Sequence, residues 1–395
     1  MRIYHAMLLP MTATDAANAE PFLGWIRIEN GIITEIGAGN CEDPQPDDLD
    51  AQGGLLLPGF IDAHCHLGII EDGIDFEGDD CNEATDPFTP HLRAIDGINP
   101  FDACFADARS RGITTVLSSP GSANPAGGSI AAIKTVGCCV DQMCIRTVGI
   151  KFALGENPKT VYDSRDEMPI TRMATAALIR EGLWKAKRYL SDLRASEQDN
   201  ELSAPEPDMK CEALLPLLKG EQIAFFHCHR ADDMATAIRI AKEFQLSLVL
   251  IHATEGYRIA EYLAKEQIPV IVGPLLCNRC KPEMQMLSRS NPTALLNAGV
   301  SVAICTDHPE VPIQYLPLSA AIARKGGLTD YEALRSVTVR AAEIAGIQDR
   351  VGSIAVGLDA DLQLYAPNTD PLSLETEPEW VMIQGNIVSR KGEPL

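Results

Sequence analysis

Residues 55–68, Leu-Leu-Leu-Pro-Gly-Phe-Ile-Asp-Ala-His-Cys-His-Leu-Gly, carry a short apolar run into a charged tip that holds two histidines. Leu55 to Leu57 and Phe60 to Ile61 read as a strand buried on both faces, the kind found in parallel sheets. Side chains alternate along a strand, so His64 and His66 point one way and Cys65 the other. Two imidazoles about 6–7 Å apart on one face of a strand end form a bidentate clamp for a metal ion.

Working outward, residues 1–57 read as short strands and turns: Ile3 to Leu9, Trp25 to Glu29 and Ile32 to Ile36. Asn30-Gly31 between the last two is a hairpin signal. The far end of the chain is similar in character. Gly352 to Leu364 and Trp380 to Val388 read as strands, with a tight turn at Gln384-Gly385-Asn386. These terminal segments suggest one small β-sandwich built from residues 1–57 and 350–395. Between them, strands alternate with helices, which calls for a parallel sheet. Strands are expected at 112–117, 130–136, 143–154, 223–229, 246–252, 268–276 and 300–306, and helices at 101–111, 171–195, 232–244, 257–266, 316–324 and 329–345. Chemistry-bearing residues sit at the C-terminal ends of these strands, as in a (β/α)8 TIM barrel, here over residues 58–349. A doubly wound open sheet is the alternative, but no G-x-G-x-x-G follows the first strand.

The chain of 395 residues has room for such a barrel plus a smaller domain. Its net charge of -22 argues against a nucleic-acid partner, whose phosphates need a basic footprint. No apolar run reaches the ~18 residues of a membrane helix, and the first residues lack the apolar core of a signal peptide. A cytoplasmic protein with no membrane partner is therefore expected, and a homo-oligomer is compatible with the sequence. The 12 cysteines lie partly inside apolar runs, as buried thiols of a reducing compartment do. Cys277-Asn278-Arg279-Cys280 is a single C-x-x-C, and a structural zinc site needs two such pairs.

Four apolar strands end in metal-type ligands. They are His64/His66, then His227-Cys228-His229, then His252 after Val249-Leu250-Ile251, then Asp307-His308 after Ala303-Ile304-Cys305-Thr306. Any one could be a satisfied core polar group, but all four at strand ends in barrel order point to one metal centre.

The stretch Pro58-Gly59-Phe60-Ile61-Asp62-Ala63-His64-Cys65-His66 resembles the first-strand signature of the metal-dependent amidohydrolase superfamily, and the later strand ends follow in that superfamily's order. The segment Gly352-Ser353-Ile354 to Asp359-Ala360-Asp361-Leu362 also resembles its C-terminal G-S-I-x-x-G-x-D-A-D-L stretch. The resemblance, to the imidazolonepropionase-like branch, covers nearly the whole chain. It implies metal ligation by His64, His66, His227, His252 and Asp307, with His229 beside the metal or on the substrate. It also implies that Asp307 takes a proton from the attacking water. A bridging ligand between two metals is implied between the first and fifth strands. Glu156, in Leu154-Gly155-Glu156, resembles the bridging glutamate of some branches, and Lys151 stands where others carry a carboxylated lysine. Glu156 is the favoured bridge, because it directly precedes the strand-ending Asn157-Pro158.

The expected cofactor is one or two divalent ions, zinc first, with manganese or iron as alternatives. The expected reaction is hydrolysis of a non-peptide C–N bond in a cyclic or linear amide of a small molecule. An Xaa-Pro-type dipeptidase and a heterocycle deaminase are the enzyme alternatives. A catalytically silent scaffold and a redox or metal-storage protein using Cys277 and Cys280 are alternatives of other classes. Asn278, Arg279 and His308 are further substrate-binding candidates, with Arg279 suited to a carboxylate. Ser118–Asn124 could bring backbone amides to a substrate. His91 and Tyr257 carry weaker signals.

Overall fold

The computed structural model describes residues 1–14 and 19–393. The N-terminal strands are β1 (Arg2–Leu8), β2 (Phe22–Glu29), β3 (Ile32–Ala38), β4 (Leu49–Asp50) and β5 (Leu55–Pro58). Asn30 (φ 52°) and Gly31 (φ 78°) make the two-residue turn between β2 and β3, with the left-handed backbone that this tight hairpin requires.

The next eight strands form the central sheet: β6 (Phe60–Cys65), β7 (Ile113–Ser118), β8 (Ala126–Lys134), β9 (Cys144–Ala153), β10 (Ile223–Cys228), β11 (Ser247–His252), β12 (Val270–Val272) and β13 (Val302–Ile304). They hydrogen-bond in sequence order. Beyond β13, Asp307 N–H donates to His64 C=O at 3.1 Å and His66 N–H to His308 C=O at 2.9 Å, which draws the last strand against the first. The result is a TIM-type barrel. Its interior is filled by Ile61, Ala63, Leu117, Ile130, Phe225, Val249, Ile251, Ile271 and Ala303, and the helix Val339–Ala345 packs into the same cluster.

The chain closes with β14 (Leu362–Tyr365), β15 (Trp380–Ile383) and β16 (Asn386–Arg390). Both ends of the chain join one sheet, in the order β16-β15-β14-β5-β1-β2-β3, with β4 added on β1. Its own apolar cluster includes Ile3, Leu8, Ile26, Leu56, Leu362, Trp380 and Met382. No helix among the described residues is long and apolar enough to cross a membrane.

Three local expectations are corrected. The run 55–61 is not one strand: β5 belongs to the terminal sheet and β6 to the barrel. Pro58 has no N–H to continue a ladder. At Gly59 a Cβ would lie 2.1 Å from Thr114 Oγ1, so the two sheets meet at a residue that has to be glycine. The barrel is also not all-parallel. β8 runs antiparallel to both β7 and β9, because the connection 119–125 is a hairpin loop, too short for a helical crossover. Finally, 352–361 is irregular rather than a strand: it pairs with the N-terminal strands through an isolated bridge, Asp359 to Ile32, the regular ladder starts at Leu362, and Gly352 (φ 102°) and Gly357 (φ 93°) turn the backbone.

Polar anchoring explains the Asp359-Ala360-Asp361 motif. Lys134, at the end of β8, reaches Asp359 at 2.8 Å and Asp361 at 2.5 Å, with all three side chains buried. Arg350 also pairs with Asp359 at 2.8 Å, and Gln384 N–H donates to Asp361 at 3.0 Å. Burial alone would raise the Asp359 carboxyl, but the Arg350 hydrogen bonds and the charge of Lys134 hold it below its ordinary value of 3.8. A depressed carboxyl adds stability that is present above the unfolded-state pKa and lost as pH falls through the folded one. Wild type is therefore expected to lose more unfolding free energy than Asp359→Asn as pH is lowered from about 5. Urea melts across that range measure it, and parallel slopes would contradict it.

Candidate metal centre

Seven of the strand-end candidates sit at one mouth of the barrel. His64 and His66 end β6, Lys151 lies near the end of β9, His227 and His229 end β10, His252 ends β11 and Asp307 follows β13. Together they line one cavity of about 220 Å³. The chain turns sharply there. His252 (φ 73°), Ala253 (φ 41°) and Asp307 (φ 58°) adopt left-handed backbone, which surrounding structure must enforce on residues with a Cβ.

Two groups of donors converge. His64 Nε2 and His66 Nε2 lie 3.3 and 3.5 Å from Asp307 Oδ1. The atoms of His64, His66 and Asp307 that can bind metal lie within 4.8 Å of one another, and so do those of His227, His229 and His252. The groups adjoin, with His64 and His252 ring centroids 5.5 Å apart and His252 Nδ1 4.0 Å from Asp307 Oδ2. The far ring nitrogens are held by the barrel. His66 Nδ1 lies 2.6 Å from Ser119 C=O and His252 Nδ1 2.7 Å from Gly273 C=O, while His229 Nδ1 lies 2.7 Å from Thr254 Oγ1. A carbonyl only accepts, so Nδ1 of His66 and of His252 is the donor and Nε2 faces the cavity. This outer hydrogen bond is how metal-binding histidines are oriented.

Electrostatics suit a cation. Burial and the Lys151 charge push His64 down to about 3, burial pushes His229 down to about 4, and burial drives His227 and His252 well below the usual range. Neutral imidazoles with inward lone pairs are the form that ligates metal. Asp307 is held ionised, because the neighbouring histidines outweigh its burial. At His66 burial is overridden by Cys81 and Asp307, up to about 10, and cation binding displaces such a proton. The described residues thus fit one or two divalent ions with N/O ligands, and nitrogen-rich donors of this kind suit zinc.

The bridging candidates separate clearly. Lys151 is fully buried, with Nζ 3.2 Å from His64 Nε2 and donating to Pro120 C=O at 3.3 Å. Burial pushes its ammonium down to about 8. Glu156 is not brought into either group or onto the cavity wall. Gly155 (φ 92°) ends the extended chain and Glu156 starts the helix Glu156–Asp163, where its carboxylate accepts from Glu283 N–H at 3.3 Å.

Of the other candidates, only His229 enters a donor group. Asn278 and Arg279 line a separate depression with Leu287, whose carbonyl accepts from Arg279 at 3.1 Å. His308 stands behind the cavity wall, its Nδ1 accepting from Ile313 N–H at 3.2 Å. His91 lines a neighbouring depression with Arg93 and Asp96. Tyr257 N–H donates to Asn291 in a short helical turn. Of the Ser118–Asn124 loop, Gly121 and Ser122 reach the wall. Cys277 and Cys280 are free thiols whose sulfurs face Pro274 C=O and Met284 respectively.

Sequence reasoning missed Asn157, Lys281 and Glu283. Asn157 donates to Ser122 Oγ at 2.7 Å, faces His227 Nε2 at 3.4 Å and accepts from Lys281 at 3.0 Å. Glu283 is buried beside His227 and His229. The only available signal was position: Lys281 and Glu283 follow β12 on the same mouth of the barrel as the histidines.

A family model described as the amidohydrolase family matches residues 223–388. The crystal structure of an amidohydrolase from Thermotoga maritima is 40% identical, with a TM-score of 0.93 over 99% of this chain and 100% of that one. The amidohydrolase tasK of Hapsidospora irregularis is 29% identical over 95% of this chain, which spans only 41% of that protein's length. An imidazolonepropionase of Streptococcus pyogenes serotype M12 is 25% identical, covering 88% of this chain and 85% of that protein.

Proposed function

Since the chain belongs to the amidohydrolase family of carbon–nitrogen hydrolases, we propose that it cleaves a non-peptide C–N bond of a cyclic or linear amide in a small molecule. The observation that carries this reading is the convergence of His64, His66, His227, His252 and Asp307, from four separate stretches of chain, on one cavity. About 220 Å³ is room for a small substrate rather than a folded protein. Zinc is the proposed metal, with His64, His66 and Asp307 on one side and His227 and His252 on the other. Divalent zinc supplies polarisation of the substrate carbonyl and acidification of the attacking water.

The protein's own groups do the rest. Asp307 accepts the proton of the attacking water and returns it to the leaving nitrogen, as base and then acid. The ionised state of Asp307 prepares it for the first of these steps. Lys151 rather than Glu156 takes the bridging position between the two halves, because only Lys151 reaches the cluster. Its lowering to about 8 raises the share of neutral amine near neutral pH, the form that carboxylation requires.

The test combines elemental analysis with amine release from a panel of N-acyl amino acids, lactams and cyclic ureides. Wild type is expected to hold about two metal equivalents. Dialysis against a chelator is expected to abolish turnover, and zinc to restore it. Lys151→Met is expected to hold about one equivalent and Glu156→Ala to keep more metal than Lys151→Met. Wild type that takes up no metal after reconstitution would leave the silent-scaffold reading in its place.

A further inference from the structure

Glu283 lies on the turn Pro282–Met284, beyond the end of β12, and is 3% exposed. One carboxylate oxygen is tied down: Oε2 accepts from Glu156 N–H at 2.9 Å. Gly155 leaves room for it, since a Cβ there would lie 2.7 Å from Oε2. The other oxygen, Oε1, is buried with no hydrogen-bond partner. It stands 3.8 Å from Nε2 of both His227 and His229.

That separation is too long for a hydrogen bond. The identity of the facing atom makes the arrangement more telling. Asn157 Nδ2, a donor, faces His227 Nε2 at 3.4 Å, so that nitrogen presents a lone pair. A buried carboxylate oxygen thus faces an imidazole lone pair. Leaving such an oxygen unpaired costs free energy, and buried polar atoms without partners are rare. A cation shared by both resolves the contact. Donors bound at 2.0–2.2 Å to a tetrahedral zinc lie about 3.3–3.5 Å apart, so the two Glu283 spacings close onto an ion with a shift of a few tenths of an ångström, and the donor atoms of His227, His229 and His252 already lie within 4.8 Å of one another.

We propose that Glu283 and His229 join His227 and His252 as a four-ligand cation site, separate from the His64–His66–Asp307 group. This rests on the metal-dependent hydrolase reading and adds two ligands to it, one from the turn after β12. Glu156 then acts as a positioning residue. Its N–H clamps Oε2, and its carboxylate accepts from the backbone of Glu283, so the turn is locked to the start of the helix Glu156–Asp163.

The experiment reads metal binding on the full-length protein, independent of turnover. Wild type, Glu283→Gln, His229→Asn and His64→Asn are stripped and titrated with cobalt(II), following the visible d–d absorption, and zinc content is measured by elemental analysis. Gln keeps an oxygen to accept from Glu156 N–H, and unchanged thermal unfolding of the metal-free variant controls for its fold. Glu283→Gln and His229→Asn are each expected to weaken one of the two equivalents by about 100-fold or more, with its absorption band lost. His64→Asn is expected to leave that band and remove the other. If Glu283→Gln binds both equivalents with unchanged affinity and spectrum, the four-ligand site is overturned while the hydrolase reading stands. If wild type binds one equivalent, lost in His64→Asn and kept in Glu283→Gln, the outcome is the same. Absence of any binding in wild type overturns both.

Discussion

Asp307→Asn is expected to lower kcat/KM by about 10³-fold on whichever panel amide proves best, the middle of the range for a lost proton-transfer group. The substitution keeps shape and size, so the left-handed turn at φ 58° and the N–H bond to His64 C=O can persist. What disappears is the anionic oxygen 3.3 and 3.5 Å from His64 and His66. An amide oxygen is a poor base at neutral pH and a weaker metal ligand, so both roles proposed for this residue fail together. Zinc content separates them. A variant with wild-type metal and about 10³-fold lower turnover isolates the proton transfer. Turnover within a factor of about ten of wild type would remove Asp307 from the chemistry.

Lys134→Met is expected to cost about 3–5 kcal/mol, the penalty for breaking a buried ion pair from one side. Lys134 is 2% exposed and, among the described residues, is the only cation that pairs with both Asp359 and Asp361. Methionine fills similar volume, so the loss comes from the Asp361 carboxylate left without a counter-charge rather than from a cavity. Arg350 still serves Asp359, but Asp361 keeps only the Gln384 N–H. Guanidinium unfolding measures the cost. Trp25 and Trp380, both on the terminal sheet, report whether that sheet leaves the barrel first. The double variant Lys134→Met/Asp361→Asn is expected to recover part of the loss, because it removes the orphaned charge together with its partner. A loss below about 1 kcal/mol for Lys134→Met would mean that the network contributes little.

The two predictions address different layers of the molecule, and those layers were unequally legible in the chain. The barrel and its ligand set are local in origin. An apolar run that stops at a histidine or aspartate marks a buried strand reaching the solvent-facing rim, and it does so without reference to any other strand. His64, His66, His227, His252 and Asp307 could therefore be read one strand at a time. The Asn30-Gly31 hairpin was legible for the same reason, since two residues carry the whole conformational demand.

The features that escaped depend on partners distant in sequence. Residues 55–61 look like one strand because Pro58-Gly59 is a weak local break. What splits them is pairing of Leu55–Pro58 with β14, about three hundred residues away, and the Thr114 side chain that Gly59 must clear. Glu156 stands in the better local context for a bridging ligand, yet the turn at Gly155 carries it away from the cavity, and the long side chain of Lys151 reaches His64 instead. Glu283 became a candidate only through the fold, which brings the turn after β12 against His227 and His229, residues already legible in the chain. By itself, then, the sequence determined the barrel, the metal-type residues at its strand ends and the class of chemistry, because strand ends and residue types are local properties. Tertiary structure alone decided which acid or lysine comes to lie beside His64 and how the two sheets are joined, because both depend on distances between residues that the chain does not place side by side.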